Sequence, residues 1–167
     1  MEWAFKGLNK LTGVNVRDVP AENFIASVSD YLKKSGKFKI PEWIDFIKSG
    51  PNRYLAPSDP VEWLFERASS LLRKLYLNKR GTGVGALRMQ YGGKYERGCV
   101  HNITAKGSGK VIRYCLQQLE AMKLVEIVNI AIKEGDVETK TTAGRRLTKK
   151  AYQELDNIAK SLVKREK

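Results

Sequence analysis

The sequence predicts a mainly α fold, a winged-helix-like bundle of five to six helices around a central amphipathic helix, with one β-hairpin as the wing. Three observations carry this prediction. Apolar residues recur at helical spacing in segments punctuated by proline and glycine. One of these, residues 59–76, joins a compact start signal to an unbroken apolar stripe. After the third helix of that core the pattern switches, over Leu124–Ile132, to β-branched residues.

The elements follow in order. Asp18-Val19-Pro20 opens a first helix with Phe24, Ile25, Val28 and Leu32 as its apolar stripe, and Gly36 stands at its C-cap. Pro41 starts a short helix bearing Trp43, Ile44 and Ile47, stopped by Gly50-Pro51. Asp59-Pro60-Val61-Glu62 supplies an N-cap, a first-turn proline and an acid three residues after the cap. The helix that follows, to about Tyr76, places Leu64, Ala68, Leu71 and Leu75 on one face and Arg67, Arg73 and Lys74 elsewhere; it is the expected central helix. The turn Gly81–Gly85 leads into a short helix through Leu87 and Tyr91, ended by Gly92-Gly93 and followed by a basic loop.

Ser108 then caps a helix carrying Val111, Ile112, Cys115, Leu116, Leu119 and Met122. Leu124–Ile132 reads as a strand, the polar stretch around Gly135-Asp136 and Gly144 as a loop, and Arg145–Leu147 as a short return strand. Thr148 caps a last helix with Tyr152, Leu155, Ile158 and Leu162 facing inward. Three helices before a hairpin is the winged helix-turn-helix order, with the first and last helices packed around it. Residues 14–162 are therefore expected to form one winged-helix-like domain, with residues 1–13 an N-terminal extension and residues 163–167 a basic tail.

Composition excludes several classes. A 42% hydrophobic content suits a folded domain rather than a disordered chain. Cys99 and Cys115 form no C-x-x-C pair and no disulfide framework, which fits a reducing, cytosolic setting. The segment MEWAFKGLNKL has no apolar run long enough for a signal peptide, and no stretch approaches the length of a membrane span. Without a secretory signal, the sequon Asn102-Ile103-Thr104 is a chance match.

The formal charge of +13 repels itself in a compact state unless a polyanion neutralises it. The excess is local. Residues 61–125 hold 12 Lys/Arg against 4 Asp/Glu, whereas residues 1–60 hold 9 against 7. Between Arg73 and Arg113 stand ten basic side chains and one acid, Glu96, and eight of the 14 glycines lie between Gly81 and Gly109. Few acids and many glycines favour a surface on which a backbone-bound polyanion approaches closely. Arg67, Arg73, Lys74, Lys79, Arg80, Arg88, Lys94, Arg97, Lys106, Lys110, Arg113, Arg145 and Arg146 are its candidate cations. Gly83, Gly85, Gly92 and Gly93 are its candidate close-approach points, and Tyr91, with Tyr95, is a candidate stacking platform for an unpaired base. If eight cations engaged phosphates, the logarithm of affinity would fall by roughly 6–7 per decade of salt.

Other chemistries find little support. Gly81-x-Gly83-x-x-Ala86 loosely matches a dinucleotide fingerprint, but a helix end precedes it and no ribose-binding acid follows at the required distance. Cys99, His101 and Cys115 fall short of the four closely paired ligands of a structural zinc site, and a single histidine leaves little scope for acid–base catalysis. No catalytic residue, metal site or cofactor is expected. A DNA-binding winged-helix regulator remains the alternative. Such a protein reads bases from one recognition helix, and the short helix at 83–91 offers only Arg88 and Gln90, which suits phosphate and shape contacts better.

Five ordered segments then carry a resemblance: VNVRDVPAENFIASVSDYLKKSGKFKIPEWID, YLAPSDPVEWLFERASSLLRKLYL, GTGVGALRMQYGGKYERG, KGSGKVIRYCLQQLEAMKLVE and GRRLTKKAYQELDNIA. Over roughly residues 14–162 the chain resembles family nineteen of the small-subunit ribosomal proteins, shared by eukaryotes and archaea and absent from bacteria. The resemblance implies a non-catalytic structural protein that binds ribosomal RNA in the head of the small subunit and supports maturation of its RNA precursor. It implies small-subunit ribosomal RNA and neighbouring ribosomal proteins as partners, with no membrane and no small-molecule substrate. It also implies a place in the cytoplasmic small subunit, with transient nuclear or nucleolar passage in a eukaryote.

By matching position, Arg67 in WLFERASS falls on the family's arginine of the central helix. Gly81–Gly85, Arg88 and Tyr91-Gly92-Gly93 fall on its basic glycine-rich surface, and Lys110 and Arg113 on the following basic helix. The chain departs from the family where Cys99-Val100-His101-Asn102-Ile103 replaces an Arg/Met-Pro-x-His element, in residues 1–13, and in a wing loop, Lys133–Gly144, longer than the usual Gly-Gly turn.

Overall fold

The structure, a computed structural model, describes residues 13–134 and 137–165. The expected N-terminal extension up to Thr12, the Gly135-Asp136 tip of the wing and Glu166-Lys167 lie outside the described residues. Five helices form: α1 (Ala21–Ser35), α2 (Pro60–Leu77), α3 (Val84–Gln90), α4 (Gly109–Ala121) and α5 (Lys149–Arg165). Two antiparallel hairpins accompany them, β1 (Gly93–Arg97) with β2 (Val100–Ala105) and β3 (Val125–Glu134) with β4 (Val137–Leu147).

Helix α2 is the centre. The Asp59 carboxylate accepts from the backbone N–H groups of Val61 and Glu62, both at 3.1 Å, so two donors that the helix cannot satisfy are satisfied at its start. Leu64, Ala68, Leu71 and Leu75, one stripe at helical spacing, are fully buried. They share a core with Phe24, Val28 and Leu32 of α1, Ile112, Leu116 and Leu119 of α4, and Ala151, Leu155 and Ala159 of α5. Each fully buried Leu or Phe contributes on the order of 1.5–3 kcal/mol, so the convergence of three helices on the α2 stripe holds the fold together. Gly36 ends α1 at φ 62°, the left-handed conformation that favours glycine. Thr148 caps α5, its hydroxyl accepting from the Ala151 N–H at 3.3 Å.

The wing is tied to the helices by one further backbone pairing. Thr82, between α2 and α3, exchanges two hydrogen bonds with Arg145 of β4 (2.9 and 3.1 Å), forming a one-residue third strand. Gly144 makes the approach possible: a Cβ there would stand 2.9 Å from the Thr82 carbonyl carbon, and its φ is 151°.

Four segments differ from expectation. The stretch after Pro41 forms a 3-10 turn, Glu42–Phe46, rather than an α-helix; five residues nucleate an α-helix poorly, and burial of Ile44 and Ile47 fixes them instead. Residues 93–105, expected as a loop, form the β1–β2 hairpin. The wing strands extend to Glu134 and back from Val137, taking in most of the stretch expected as loop. Helix α5 runs on through Arg165, into the expected tail.

Leu71 lies at the middle of the buried stripe. Leu71→Ala is expected to cost roughly 2–5 kcal/mol in urea unfolding; a cost below about 1 kcal/mol would remove α2 from the centre of the core.

Candidate nucleic-acid interface

The interface begins on the polar side of α2. Trp63, Arg67, Ser70 and Lys74 recur at i, i+4, i+7 and i+11, a spacing that lines them along one stripe. Tyr91, at the end of α3, lies on that stripe. Its hydroxyl meets Ser70 Oγ at 2.8 Å, the Arg67 guanidinium stands 4.3 Å from its ring centroid, and Lys74 Nζ stands 3.7 Å from the same centroid. Arg67 also lies 4.8 Å from the Trp63 ring. Cation–aromatic contacts of this kind contribute on the order of 0.5–2 kcal/mol, more as water is removed. Burial lowers the pKa of Arg67, and that of Lys74 is lowered by burial and then by Arg67. Burial pushes the Tyr91 phenol up, against smaller opposing effects of Ser70 and Arg67. The Tyr91 ring, expected as a platform for an unpaired base, is thus engaged within the protein.

From Tyr91 the chain enters the β1–β2 hairpin through a junction with no room for side chains. A Cβ at Gly92 would lie 2.2 Å from the Ala105 carbonyl oxygen, and one at Gly107 would lie 3.0 Å from the Tyr91 carbonyl oxygen. The Gly107 N–H donates to the Arg88 carbonyl at 2.8 Å, and Arg88 Nε donates to the Gly107 carbonyl at 3.1 Å. A Cβ at Gly93 would meet the Asn52 amide at 2.6 Å. Gly92 therefore serves close backbone packing within the protein and Gly93 meets only the movable end of the Asn52 side chain, whereas Gly83 and Gly85 have no atom near their Cβ positions.

Beyond its root the hairpin stands free. Lys94, Arg97 and Lys106 are exposed, and so are the apolar Val100 and Ile103, at 54% and 49%. Tyr95 pairs across the strands with Ile103 and is half-buried. An isolated two-stranded hairpin is marginally stable in water, so this one depends on its root. Next to that root, Arg88 Nε and an Arg113 guanidinium nitrogen converge on Gly109, lying 3.2 and 2.9 Å from its would-be Cβ. They meet over the first turn of α4, whose unsatisfied N–H groups favour anions. Lys110 projects from the same turn with Nζ 4.4 Å from the Trp43 ring centroid.

The other candidate cations lie apart. Lys79 and Arg80 are exposed in the turn after α2, and Arg73 is half-buried within α2. Arg145 lies 3.5 Å from a Glu120 carboxylate oxygen and Arg146 donates to Glu126 at 2.5 Å; among the described residues these are the ion pairs that engage candidate site cations. The candidates thus divide into a hairpin and α4 cluster, a half-buried Arg67–Lys74–Tyr91 cluster and a group around Lys79. Two cations at the last group, Arg17 and Lys149, were not among the sequence candidates. They line the clefts beside Lys79 from distant parts of the chain, and no local motif marks them.

The imagined metal ligands are not brought together. Cys115 is buried in the core, its thiol pushed up to about 12 by burial, while Cys99 and His101 are exposed on the hairpin. Among the described residues no three His, Cys, Asp or Glu side chains form a metal-binding group. The Gly81–Gly83 turn follows a helix and adjoins antiparallel strands, not the parallel β-α unit of a dinucleotide fold. No helix among the described residues is long and apolar enough to cross a membrane.

Fold and surface define a class: a winged-helix-like protein whose cations gather on exposed backbone and helix ends. The profile of the family described as ribosomal protein S19e matches residues 15–165, and the chain belongs to that family, whose members are structural components rather than enzymes. It is 43% identical over 150 residues to the small ribosomal subunit protein eS19 of Entamoeba histolytica, covering 90% of this chain and 87% of that one. It is 39% identical over 156 residues to eS19A of Schizosaccharomyces pombe, covering 93% and 99%. The eS19 protein of Mya arenaria is 37% identical over 151 residues, covering 90% of this chain and 92% of its own.

The two thiols should separate cleanly. A thiol-reactive dye on the native protein is expected to label Cys99 alone, with Cys115 reacting after unfolding; rapid labelling of both in the native state would contradict the burial of Cys115.

Proposed function

We propose that the chain is a structural constituent of the small ribosomal subunit, binding ribosomal RNA in the subunit head and supporting RNA maturation and subunit assembly. The supporting observation is the exposed cationic β1–β2 hairpin inserted between α3 and α4, with Arg88, Lys110 and Arg113 at its root. Family membership and the names of the relatives support the ribosomal setting. With it come ribosomal RNA and neighbouring ribosomal proteins as partners. The expected location is the cytoplasmic small subunit, with nuclear or nucleolar passage in a eukaryote.

In this reading Lys94, Arg97, Lys106, Lys110, Arg113 and Arg88 meet phosphates, and Gly83 and Gly85 admit backbone to close approach. Arg67 and Lys74 act through Tyr91, setting the direction in which the hairpin leaves α3. Lys79, Arg80, Arg145 and Arg146 extend the basic surface past the far end of α2, with Arg73 between.

The geometry disfavours the DNA regulator. From the sequence, base recognition falls to the helix at 83–91, but the helix that precedes the wing, and so the second of the motif, is α4, which in a helix-turn-helix enters the major groove. Here a hairpin occupies the place of the turn. One side of α4 is also covered, since the Tyr114 hydroxyl donates to the Lys39 carbonyl at 2.8 Å and the Gln118 side chain accepts from the Lys39 N–H at 3.4 Å, which leaves Lys110, Arg113, Gln117 and Ala121 as its exposed stripe.

The protein is expected to co-sediment with small subunits through a moderate salt wash; recovery free of subunits and bound to a specific duplex DNA would sink the proposal. Replacing Lys94, Arg97 and Lys106 together by Gln should reduce the salt slope of RNA binding by about 2–3, and an unchanged slope would remove the hairpin from the interface. Arg67→Gln should weaken RNA binding with the slope intact. A slope reduced by about one would instead place Arg67 on a phosphate.

A further inference from the structure

The wing leaves the body as a two-stranded ribbon, and the register settles which of its residues share a face. At the base, Val128 Cγ2 stands 3.4 Å from where a Cβ of Gly81 would be, so the face that carries Val128 is turned toward the turn 78–83. Beyond it, Ile130 is opposite Thr141 and Ile132 opposite Thr139. Asn129 is opposite Thr142, Ala131 opposite Lys140 and Lys133 opposite Glu138. Residues two apart on a strand, and residues directly opposite on an antiparallel pair, lie on one face. Val128, Ile130 and Ile132 therefore share an uncharged face with Thr139 and Thr141, while Lys133, Glu138 and Lys140 fall on the other. A two-stranded ribbon is marginally stable in water unless an apolar face is covered. Among the described residues, the backbone pairing that joins this ribbon to the rest of the chain is Thr82 with Arg145, at its base.

The described chain starts at the same end of the molecule. Val14 and Val16 are buried in the core, and Arg17 lines the cleft that Gly81 and Thr82 also line. Twelve residues, MEWAFKGLNKLT, come before the described part and before residue 15, where the family profile begins to match. Trp3, Phe5, Leu8 and Leu11 among them are large and apolar, and Lys6 and Lys10 outnumber Glu2. The outer wing has the opposite sign in an otherwise basic chain: residues 127–143 carry Lys133 and Lys140 against Glu134, Asp136 and Glu138. Length is sufficient as well. Twelve residues span at most roughly 40 Å, whereas positions 128 to 132 of a strand span about 13 Å.

We infer that residues 1–12 fold back over the wing and cover the face formed by Val128, Ile130 and Ile132, so that wing and N-terminal segment make one arm. Tethering favours this occupant over a separate partner. A segment held within reach of its site acts at an effective concentration on the order of millimolar, before any other molecule arrives. RNA matches the face poorly, since the face carries no cation and the outer wing is net negative. The cover also removes from water the apolar positions through which a bare ribbon associates with other chains.

The test uses the full-length chain, purified and free in solution, with a benzophenone side chain in place of Phe5. Irradiation is expected to give a crosslink within one molecule, mapped by mass spectrometry to residues 128–141. Ile130→Asn together with Ile132→Asn should cut the yield of that crosslink several-fold, with thermal unfolding of the helices unchanged. In the parent chain, deletion of residues 1–12 should speed amide exchange over 129–133 several-fold and leave α2 as protected as before. A crosslink to another surface of the same molecule, to a second copy, or to nothing overturns the inference. So does a yield indifferent to the two asparagines, or exchange indifferent to the deletion.

Discussion

The placing of Tyr91 on the polar stripe of α2 is the contact on which the basic surface depends. Its hydroxyl is held by Ser70, and Arg67 and Lys74 stand against its ring from turns on either side of Ser70. The apolar face of the same helix is buried without residue. Helix α2 therefore does two things at once: one stripe organises the core, and another fixes the end of α3. Because Gly92 follows immediately and touches the Ala105 backbone, fixing Tyr91 also fixes both strands of the hairpin at their root. The desolvation of two cations beside the ring works against this contact, and the ring quadrupole with the Ser70 hydrogen bond offsets it.

The helices were legible because their signals are local. Asp59, Pro60 and Gly36 act within one turn of where they stand, and the stripe Leu64–Ala68–Leu71–Leu75 repeats at the helical period since one face is buried. The β1–β2 hairpin offered no such signal. Period-two alternation arises only when one face of a strand is buried; VHNITA is exposed at all but its last residue, and GKYER has only Gly93 and Tyr95 half-buried. Glycines at their start read as loop, although Gly92 is required by backbone approach to a residue thirteen positions away in sequence, Ala105. Likewise the return strand of the wing looks short in the sequence because Gly144 resembles a loop glycine, whereas it lets Thr82 pair with Arg145.

The candidate site was legible as charge but not as surface. Ten cations between Arg73 and Arg113 are visible in any count, yet the count cannot separate Lys94, which projects into solvent, from Lys74, which lies on a tyrosine ring. Nor can it gather Arg17 and Lys149 to Lys79, since that proximity exists only after α1, α2 and α5 have packed. Tyr91 shows the same limit from the other side. An aromatic among cations and glycines is the composition of a base-stacking platform, and here the cations themselves have taken the ring.

The departure from a DNA-reading winged helix follows from two insertions of physical consequence. Between α3 and α4 a helix-turn-helix has a tight turn that sets the second helix into a groove; here the chain makes a hairpin, which would stand in the way of a duplex approaching α4. Against α4 the segment 38–43 then lays Phe38 and Trp43 edge-on to Tyr114, at 6.5 and 5.3 Å, so the Tyr114 side of the helix is spent on packing. What remains exposed on α4 is the stripe Lys110, Arg113, Gln117 and Ala121, with Arg88 converging on Arg113 near its start. Helix ends and cations on flexible stems select phosphate and shape rather than base sequence. For the RNA partner proposed above that is sufficient, because a structured RNA presents its phosphates in one arrangement and needs no second code to be recognised.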